Sequence, residues 1–302
     1  MSGGSRRAHG LLLLLLAVTV AFDVPIVHRL PARTCLQSAA GLSLALHPTP
    51  ACPKTGSSPF NPRACRPARL CMASAEKQGA ATKLQVAWVG NSFVFFNNLP
   101  RMLKSMLKHT GVAVLQRDVL VGGQGLHGHS QDANVTALLA QRAWDAVILQ
   151  DQSAVPGGAD AQKYAESLTA LREHFAPCCS TARRVLLYSS WGHKKGSPVL
   201  EQFQSAYPSF QVMNARVAEG YKAYKQALQE AGVANVSLAP VGKAFEMAYQ
   251  ADTIAGRDPE GADSMFSRLY NADCFHPSPL GSYLAASVFF GVLTGTSSPT
   301  PD

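Results

Sequence analysis

Short apolar runs alternate with helix-like segments from residue 84 to about residue 295, and this alternation restricts the fold more than any other feature. Each run is only a few residues long and largely hydrophobic, as in strands buried on both faces. Parallel strands need crossover connections, so the alternation predicts an α/β protein with helices on both faces of a parallel sheet. The segments assigned to strands are residues 86–89, 112–121, 144–149, 185–188 and 236–238.

The segments between these runs carry helical signals. Asn98 can cap a helix that has Pro100 in its first turn, and apolar residues then recur at helical spacing as far as Gly111. The same reasoning predicts helices over residues 135–141, 162–174 and 211–231, and a final helix after Pro277.

A hydroxyl group stands directly after the first predicted strand. Gly90-Asn91 breaks the apolar run, and Ser92 follows. In an open α/β sheet, ligands bind at the carboxyl ends of the strands, so Ser92 is placed at the mouth of the usual site. Taken alone, a serine here is better explained as the cap of a turn or a helix.

Two further strand ends carry groups that could stabilise an oxyanion. Gly122-Gly123 ends the second strand, where a missing side chain either permits a tight turn or exposes a backbone N–H. Gln150-Asp151-Gln152-Ser153 ends the third strand, either as a polar loop or as the source of a donating side-chain amide. Each signal is weak by itself, and their positions at successive strand ends give them weight together.

Asp273 and His276 precede the last predicted helix. His276 cannot easily continue a helix before Pro277, so these residues lie in a loop that enters the helix. An aspartate three residues before a histidine can hold Nδ1–H and leave Nε2 free as a base.

Most of the positive charge belongs to the first part of the chain. The formal net charge is +8, yet residues 1–71 hold eight Lys/Arg and one acidic residue, whereas the rest holds 19 basic and 18 acidic residues. The folded part therefore lacks a basic stripe, and we exclude nucleic acid as a partner.

The first 75 residues have the composition of two targeting signals in series. Arg6 and Arg7 precede an apolar run of signal-peptide length, which is short for a membrane span. The following stretch has no acidic residue between positions 24 and 75, as in organelle transit peptides. We predict a signal-like segment over residues 1–21, a disordered transit-like segment over 22–75 and a folded domain over 82–298. Plastid import is the favoured destination, with secretion as the alternative and no membrane span in the mature chain.

The cysteines do not indicate a disulfide framework or a metal site. Four of the seven lie in the leader, and no pattern with metal-ligand spacing occurs. We therefore predict neither a metal nor another cofactor.

The four motifs together resemble the SGNH (GDSL-type) hydrolases, a three-layer flavodoxin-like family of esterases and acetylhydrolases. That family has a nucleophilic Ser after the first strand, a Gly after the second, an amide after the third and Asp-x-x-His near the end. Here these are Ser92, Gly123, Gln150 or Gln152, and Asp273 with His276. The order and spacing match from about residue 84 to residue 295, and a Gln-containing third block is similar to that of the carbohydrate acetylesterases. The chain departs from the family in having Asn91 before the Ser and in lacking the Gly-x-Asn-Asp block.

The resemblance implies a five-stranded sheet and acyl transfer through a covalent intermediate. Ser92 would be the nucleophile, His276 the base and Asp273 its partner, on a small carboxylic ester such as an acetylated carbohydrate. The oxyanion would be bound by the N–H groups of Ser92 and Gly123 and by Gln150 or Gln152, with a slight preference for Gln150 as the first residue past the strand.

Two more residues are weaker candidates for the substrate pocket. Asn91 adjoins the nucleophile, and Trp191 follows the fourth predicted strand, although a packed core indole explains Trp191 equally well. The alternative function is a carbohydrate- or peptide-binding protein that uses the same cleft without catalysis. The departures in two blocks motivate that alternative, and the intact Ser, Asp and His oppose it.

Overall fold

The computed structural model describes residues 83–296, so the predictions for residues 1–21 and 22–75 lie outside it. Five strands form one parallel sheet in the order β2-β1-β3-β4-β5. The predicted α/β class and five-stranded parallel sheet are therefore confirmed. The strands are β1 Lys83–Gly90, β2 Ala113–Leu120, β3 Ala146–Leu149, β4 Val185–Ser189 and β5 Val236–Pro240.

Ten α-helical segments lie within residues 83–296. They are α1 Ser92–Phe95, α2 Leu99–His109, α3 Leu126–Ser130, α4 Ala133–Ala140, α5 Ala161–Ala170, α6 Ala176–Cys178, α7 Pro198–Gln202, α8 Phe210–Glu230, α9 Val241–Ile254 and α10 Pro279–Thr294. Short 3₁₀ turns cover Phe96–Asn98 and Ser267–Leu269, and a π-helical turn over Leu171–Phe175 joins α5 to α6. No helix of this described part is long and apolar enough to cross a membrane.

The central strand shows why the sheet is covered on both sides. Successive side chains of a strand point to opposite faces, and in β1 both sets are apolar and buried. Val86 and Trp88 face the core shared with α2, α9 and α10, whereas Ala87 and Val89 face the core shared with α4, α5 and α8. The result is a helix–sheet–helix sandwich with two hydrophobic layers.

The ends of the three strands that carry the motifs are level with one another. Gly90 pairs with Leu120 on β2, and Val89 pairs with Leu149 on β3. The residues that follow β1, β2 and β3 therefore emerge at one edge of the sheet, where a binding site is expected.

Five helices were missing from the sequence prediction, namely the short segments α1, α3, α6 and α7 and the longer α9. Helix α9 is the longest of them and begins at Val241, directly after Pro240 and before Gly242. Pro240 and Gly242 are weak helix formers, and the local sequence therefore does not predict the start of this helix. A Cβ added at Gly242 would strike the carbonyl oxygen of Ser190. The close approach of α9 to the backbone of Ser190 therefore requires glycine at this position.

Candidate active site

Ser92 is the first residue of α1, and Asn91 holds the turn beneath it. The Asn91 side chain accepts a hydrogen bond from Phe93 N–H at 3.1 Å and donates to the Gln124 carbonyl at 2.8 Å. The backbone N–H of Asn91 donates to Gln150 Oε1 at 2.9 Å. These hydrogen bonds connect the loops that follow β1, β2 and β3. Asn91 is only 2% exposed, so its side chain does not line a pocket.

The structure brings Ser92, His276 and Asp273 together from opposite ends of the described fold. The Ser92 hydroxyl lies 2.8 Å from His276 Nε2, and His276 Nδ1 lies 2.7 Å from Asp273 Oδ2. With Nδ1–H donated to the carboxylate, Nε2 presents its lone pair to the serine hydroxyl; this tautomer is inferred from the hydrogen-bond network. The arrangement lets a proton move from the hydroxyl to the imidazole.

Asp273 is held by the loop that carries it. Its second oxygen, Oδ1, accepts the backbone N–H groups of Phe275 and His276 at 3.1 and 2.9 Å. Partial burial by itself raises the pKa of Asp273, but the hydrogen bond to His276 and the two N–H groups outweigh it and lower the pKa below its usual value. The carboxylate is therefore ionised at neutral pH and can stabilise an imidazolium.

The backbone N–H groups of Ser92 and Gly123 have no hydrogen-bond partner among residues 83–296. The first N–H groups of a helix are not satisfied within it, which explains Ser92. Gly123 has a φ of +71°, a conformation that glycine adopts without strain. The loop after β1, which carries Ser92, and the loop after β2, which carries Gly123, are connected by the hydrogen bond that the Asn91 side chain donates to the Gln124 carbonyl. Both N–H groups are therefore free to bind an oxyanion.

The two glutamines of the third loop have different environments. Gln150 is fully buried: its Oε1 accepts from Asn91 N–H and its Nε2 donates to the Asp151 carbonyl. Gln152 is partly exposed, its Oε1 accepts from Ala154 N–H, and its Nε2 has no partner within the described residues. The sequence preference for Gln150 as an oxyanion donor is not supported, because the amide of Gln150 is already used to support the loops.

Asp151 links the second and third loops, a role that the sequence analysis did not assign. It is fully buried, and its Oδ1 accepts from the N–H groups of Leu126 at 2.8 Å and Gln152 at 2.7 Å. Its Oδ2 accepts from the Tyr224 hydroxyl at 2.8 Å. Burial raises its pKa, and these hydrogen bonds partly offset that effect. A charged residue two positions after a buried strand was the available signal, since such a group needs several partners.

Trp191 lies in the core and has no exposed surface. Its indole stacks between Phe93, with ring centroids 4.7 Å apart, and Phe245, at 4.2 Å. It therefore supports the nucleophile turn through Phe93 and does not line a pocket in this structure. The sequence left two interpretations of Trp191 open, a pocket residue and a packed core residue, and its position agrees with the second.

His193 is a buried neighbour of the site. Its two ring nitrogens lie 2.9 Å from the hydroxyls of Ser197 and Ser153. Burial, and then the proximity of His276, lower the pKa of His193 to about 3. The ring is thus neutral at physiological pH and adds no charge beside the His276 imidazole.

A cavity of ≈ 330 Å³ adjoins the second and third loops. Its wall includes Gly123 and Gln152, whereas Ser92 and His276 do not line it. The rest of the wall combines polar and apolar groups, among them Asp160, Lys163, Glu166 and Phe203. Across residues 83–296, no group of three His, Cys, Asp or Glu side chains is arranged to hold a metal ion.

Solved structures from other organisms resemble this fold. A protein from Slackia heliotrinireducens, provisionally described as an SGNH hydrolase, is 26% identical with a TM-score of 0.51, and the match covers 70% of this chain and 100% of that chain. A DUF4886 family protein from Bacteroides uniformis ATCC 8492 is 17% identical with a TM-score of 0.56, covering 73% and 88%. A variant of Axe2, an acetylxylan esterase from Geobacillus stearothermophilus, is 13% identical with a TM-score of 0.48, covering 70% and 94%.

No protein-family model matches the sequence, and no curated protein matches it significantly. The order of the strands, the parallel sheet between two helical layers and the likeness to the Slackia heliotrinireducens protein agree with one another. The chain therefore has the SGNH hydrolase fold.

Proposed function

We propose that this protein is a serine esterase that hydrolyses a small carboxylic ester through an acyl-enzyme. One observation carries the proposal: the hydrogen-bonded series Ser92–His276–Asp273, with distances of 2.8 and 2.7 Å. Ser92 and His276 are 184 residues apart in sequence, so no local turn accounts for their contact. A nucleophile within hydrogen-bond reach of a base that a third group orients is the signature of nucleophilic catalysis.

In the acylation step, Ser92 Oγ bonds to the ester carbonyl carbon and its proton passes to His276 Nε2. The negative charge that develops on the carbonyl oxygen is met by the N–H groups of Ser92 and Gly123 and by the free amide of Gln152. Collapse of this intermediate breaks the bond to the alcohol, which leaves with the proton from Nε2. The Asp273 carboxylate stabilises the imidazolium between these transfers.

Deacylation repeats the same proton transfers with water. His276 Nε2 takes a proton from the water as its oxygen adds to the acyl carbon, and the bond to Ser92 Oγ then breaks. The proton returns to Oγ, which restores the starting state. No step requires a cofactor.

The wall of the cavity beside Gly123 and Gln152 favours an ester whose alcohol part is polar and uncharged, such as a carbohydrate. Its charged wall residues are mainly acidic, and Lys163 is paired with Asp160 at 3.7 Å, so an anionic group would find little compensation. The Glu166 carboxylate can accept hydrogen bonds from hydroxyl groups, and the half-buried ring of Phe203 offers an apolar face. We therefore propose an acetyl ester of a carbohydrate as the natural substrate class.

Replacing the nucleophile tests the proposed function. We expect Ser92→Ala to abolish both hydrolysis of 4-nitrophenyl acetate and labelling by a fluorophosphonate probe, because both need the Oγ nucleophile. The thermal midpoint should stay nearly unchanged, since a partly exposed hydroxyl contributes little to stability.

Ser105→Ala is the matched control, since Ser105 is exposed on α2, and it should keep full activity. A wild-type protein that neither hydrolyses the ester nor takes up the probe, yet binds an acetylated oligosaccharide, would instead establish the non-catalytic binding protein.

A further inference from the structure

The turn that follows the nucleophile has an unusual backbone. Asn97 has φ 53° and ψ 15°, and Asn98 has φ 55° and ψ 56°, so two successive residues with side chains occupy the left-handed region. That region is unfavourable for residues with a Cβ, although Asn tolerates it better than most. Strained backbone persists only where the surrounding structure enforces it, and such places cluster at functional sites.

The side chain of Asn97 shows what enforces this conformation. Its Nδ2 donates to the Pro277 carbonyl and to Ser282 Oγ, both at 2.9 Å. Pro277 directly follows His276, and Ser282 is buried in the first turns of α10. Ser282 Oγ in turn reaches the Phe96 carbonyl at 3.4 Å. Asn97 therefore fastens the nucleophile turn to the segment that carries the base.

Phe96, the residue before Asn97, lies on the imidazole of His276. The two rings are nearly parallel, with an interplanar angle of 5° and centroids 4.1 Å apart. Phe275 also contacts the imidazole, at 4.0 Å and 38°. An imidazole packed in this way has little freedom to rotate away from Ser92.

We propose that Asn97 and Phe96 are positioning residues for His276, Asn97 by joining the two loops and Phe96 by stacking on the imidazole. Neither residue forms a bond to the substrate or transfers a proton in this scheme. The kinetic part of the proposal rests on the proposed esterase function, because it concerns the alignment of His276 Nε2 with Ser92 Oγ. Small displacements of a catalytic group lower the rate of the chemical step more than they weaken substrate binding.

Variants of the two asparagines separate the hydrogen bonds from the backbone strain. Asn97→Gly keeps the left-handed conformation and removes the amide, whereas Asn97→Ala removes both. We expect each to lower kcat for 4-nitrophenyl acetate by roughly 10- to 100-fold with KM changed less than about twofold. Asn98→Gly is the matched control, because it relaxes the neighbouring left-handed residue and leaves the Asn97 contacts in place.

Phe96 is tested by rescue. Phe96→Ala removes the stacked ring and should lower kcat in the same way, whereas Phe96→Tyr keeps an aromatic ring and should restore most of the activity. Loss of activity in Phe96→Tyr equal to that in Phe96→Ala would overturn the stacking role. Unchanged kcat in Asn97→Gly would overturn the joining role.

A chemical measurement extends the test to a protein without esterase activity. Modification of His276 by diethyl pyrocarbonate, followed by peptide mass spectrometry, should be several times faster in Asn97→Gly and Phe96→Ala than in the wild type or Asn98→Gly. The exposed His109 provides the internal reference. Faster modification in an inactive wild-type background would leave the positioning role intact and refute only the proposed function. Equal modification rates in all variants would refute the positioning role.

Discussion

His276 shows how much of the site depends on single side chains. One ring nitrogen bonds Asp273, the other faces Ser92, and the ring itself packs against Phe96 and Phe275. Each contact restricts a different motion of the imidazole, so the group that we propose as the base is oriented before any substrate binds. Preorganised groups of this kind avoid reorganisation during the reaction, which is where much of the catalytic advantage of enzymes arises.

At the same scale, the two glutamines should separate activity from stability. We expect Gln152→Ala to lower kcat about 10²- to 10³-fold, because it removes the side-chain amide that we propose as an oxyanion donor. Gln150→Ala should mainly lower stability, since it leaves the buried N–H of Asn91 without a partner, at a cost of about 1–3 kcal/mol.

The measurements are ester kinetics and thermal unfolding of both variants. The assignment of the donor to Gln152 fails if Gln150→Ala has the larger effect on kcat at a temperature where both variants are folded. Equal kcat in both variants and the wild type would mean that the backbone N–H groups act alone.

At the scale of elements, α9 packs very closely against the backbone that follows β4, and this packing helps to position the site. Helix α9 begins at Val241, and its second residue, Gly242, has room for no side chain beside the Ser190 carbonyl. Ser190 precedes Trp191, which stacks under Phe93 of the nucleophile turn. The packing of α9 against the end of β4 is thus connected to the support of Ser92.

Gly242→Ala should therefore destabilise the protein, contrary to the usual effect of this substitution in a helix. Alanine is favoured over glycine by about 1 kcal/mol within helices, but the added Cβ would force backbone apart, which typically costs about 1–3 kcal/mol. Denaturant unfolding would measure the difference.

Lys243→Ala is the control at the next position, where an exposed ion pair with Glu246 contributes little, within about 0.5 kcal/mol. Increased stability of Gly242→Ala would show that α9 can move away from Ser190.

At the scale of the whole molecule, the positive charge of the first 75 residues and the acid-free stretch from residue 24 to residue 75 predict that this part is removed after targeting. We expect the mature N-terminus between residues 70 and 80, and a chain that begins at Thr82 should express as a folded, soluble protein. N-terminal sequencing of the native protein is the measurement. A mature chain that starts at Phe22 would contradict a removed transit segment and favour secretion over the proposed plastid import.

The sequence alone determined the fold class and the positions of its strands. The five predicted segments became the five strands, with shifts of a few residues at their ends. In β1, β3 and β4, burial on both faces leaves a signature in the composition itself, whereas the edge strand β2 is mostly exposed or half-buried. The long helices α2 and α8 were predicted because their apolar residues recur at helical spacing, and α2 also has the cap Asn98. Helix α9 was not, because Pro240 and Gly242 serve contacts that lie outside the local sequence.

For the site, the motif order predicted which residues would meet, and the tertiary structure decided what each one can do. Ser92, Asp273 and His276 stand out by type and position, since strand ends and a loop before the last helix are where such groups are used. Nothing local distinguishes Gln150 from Gln152, or marks Trp191 as core and Asn97 as the residue that joins two distant loops. The roles of Gln150 and Asn97 depend on partners 59, 180 and 185 residues away, and only the folded chain brings such partners within hydrogen-bond distance.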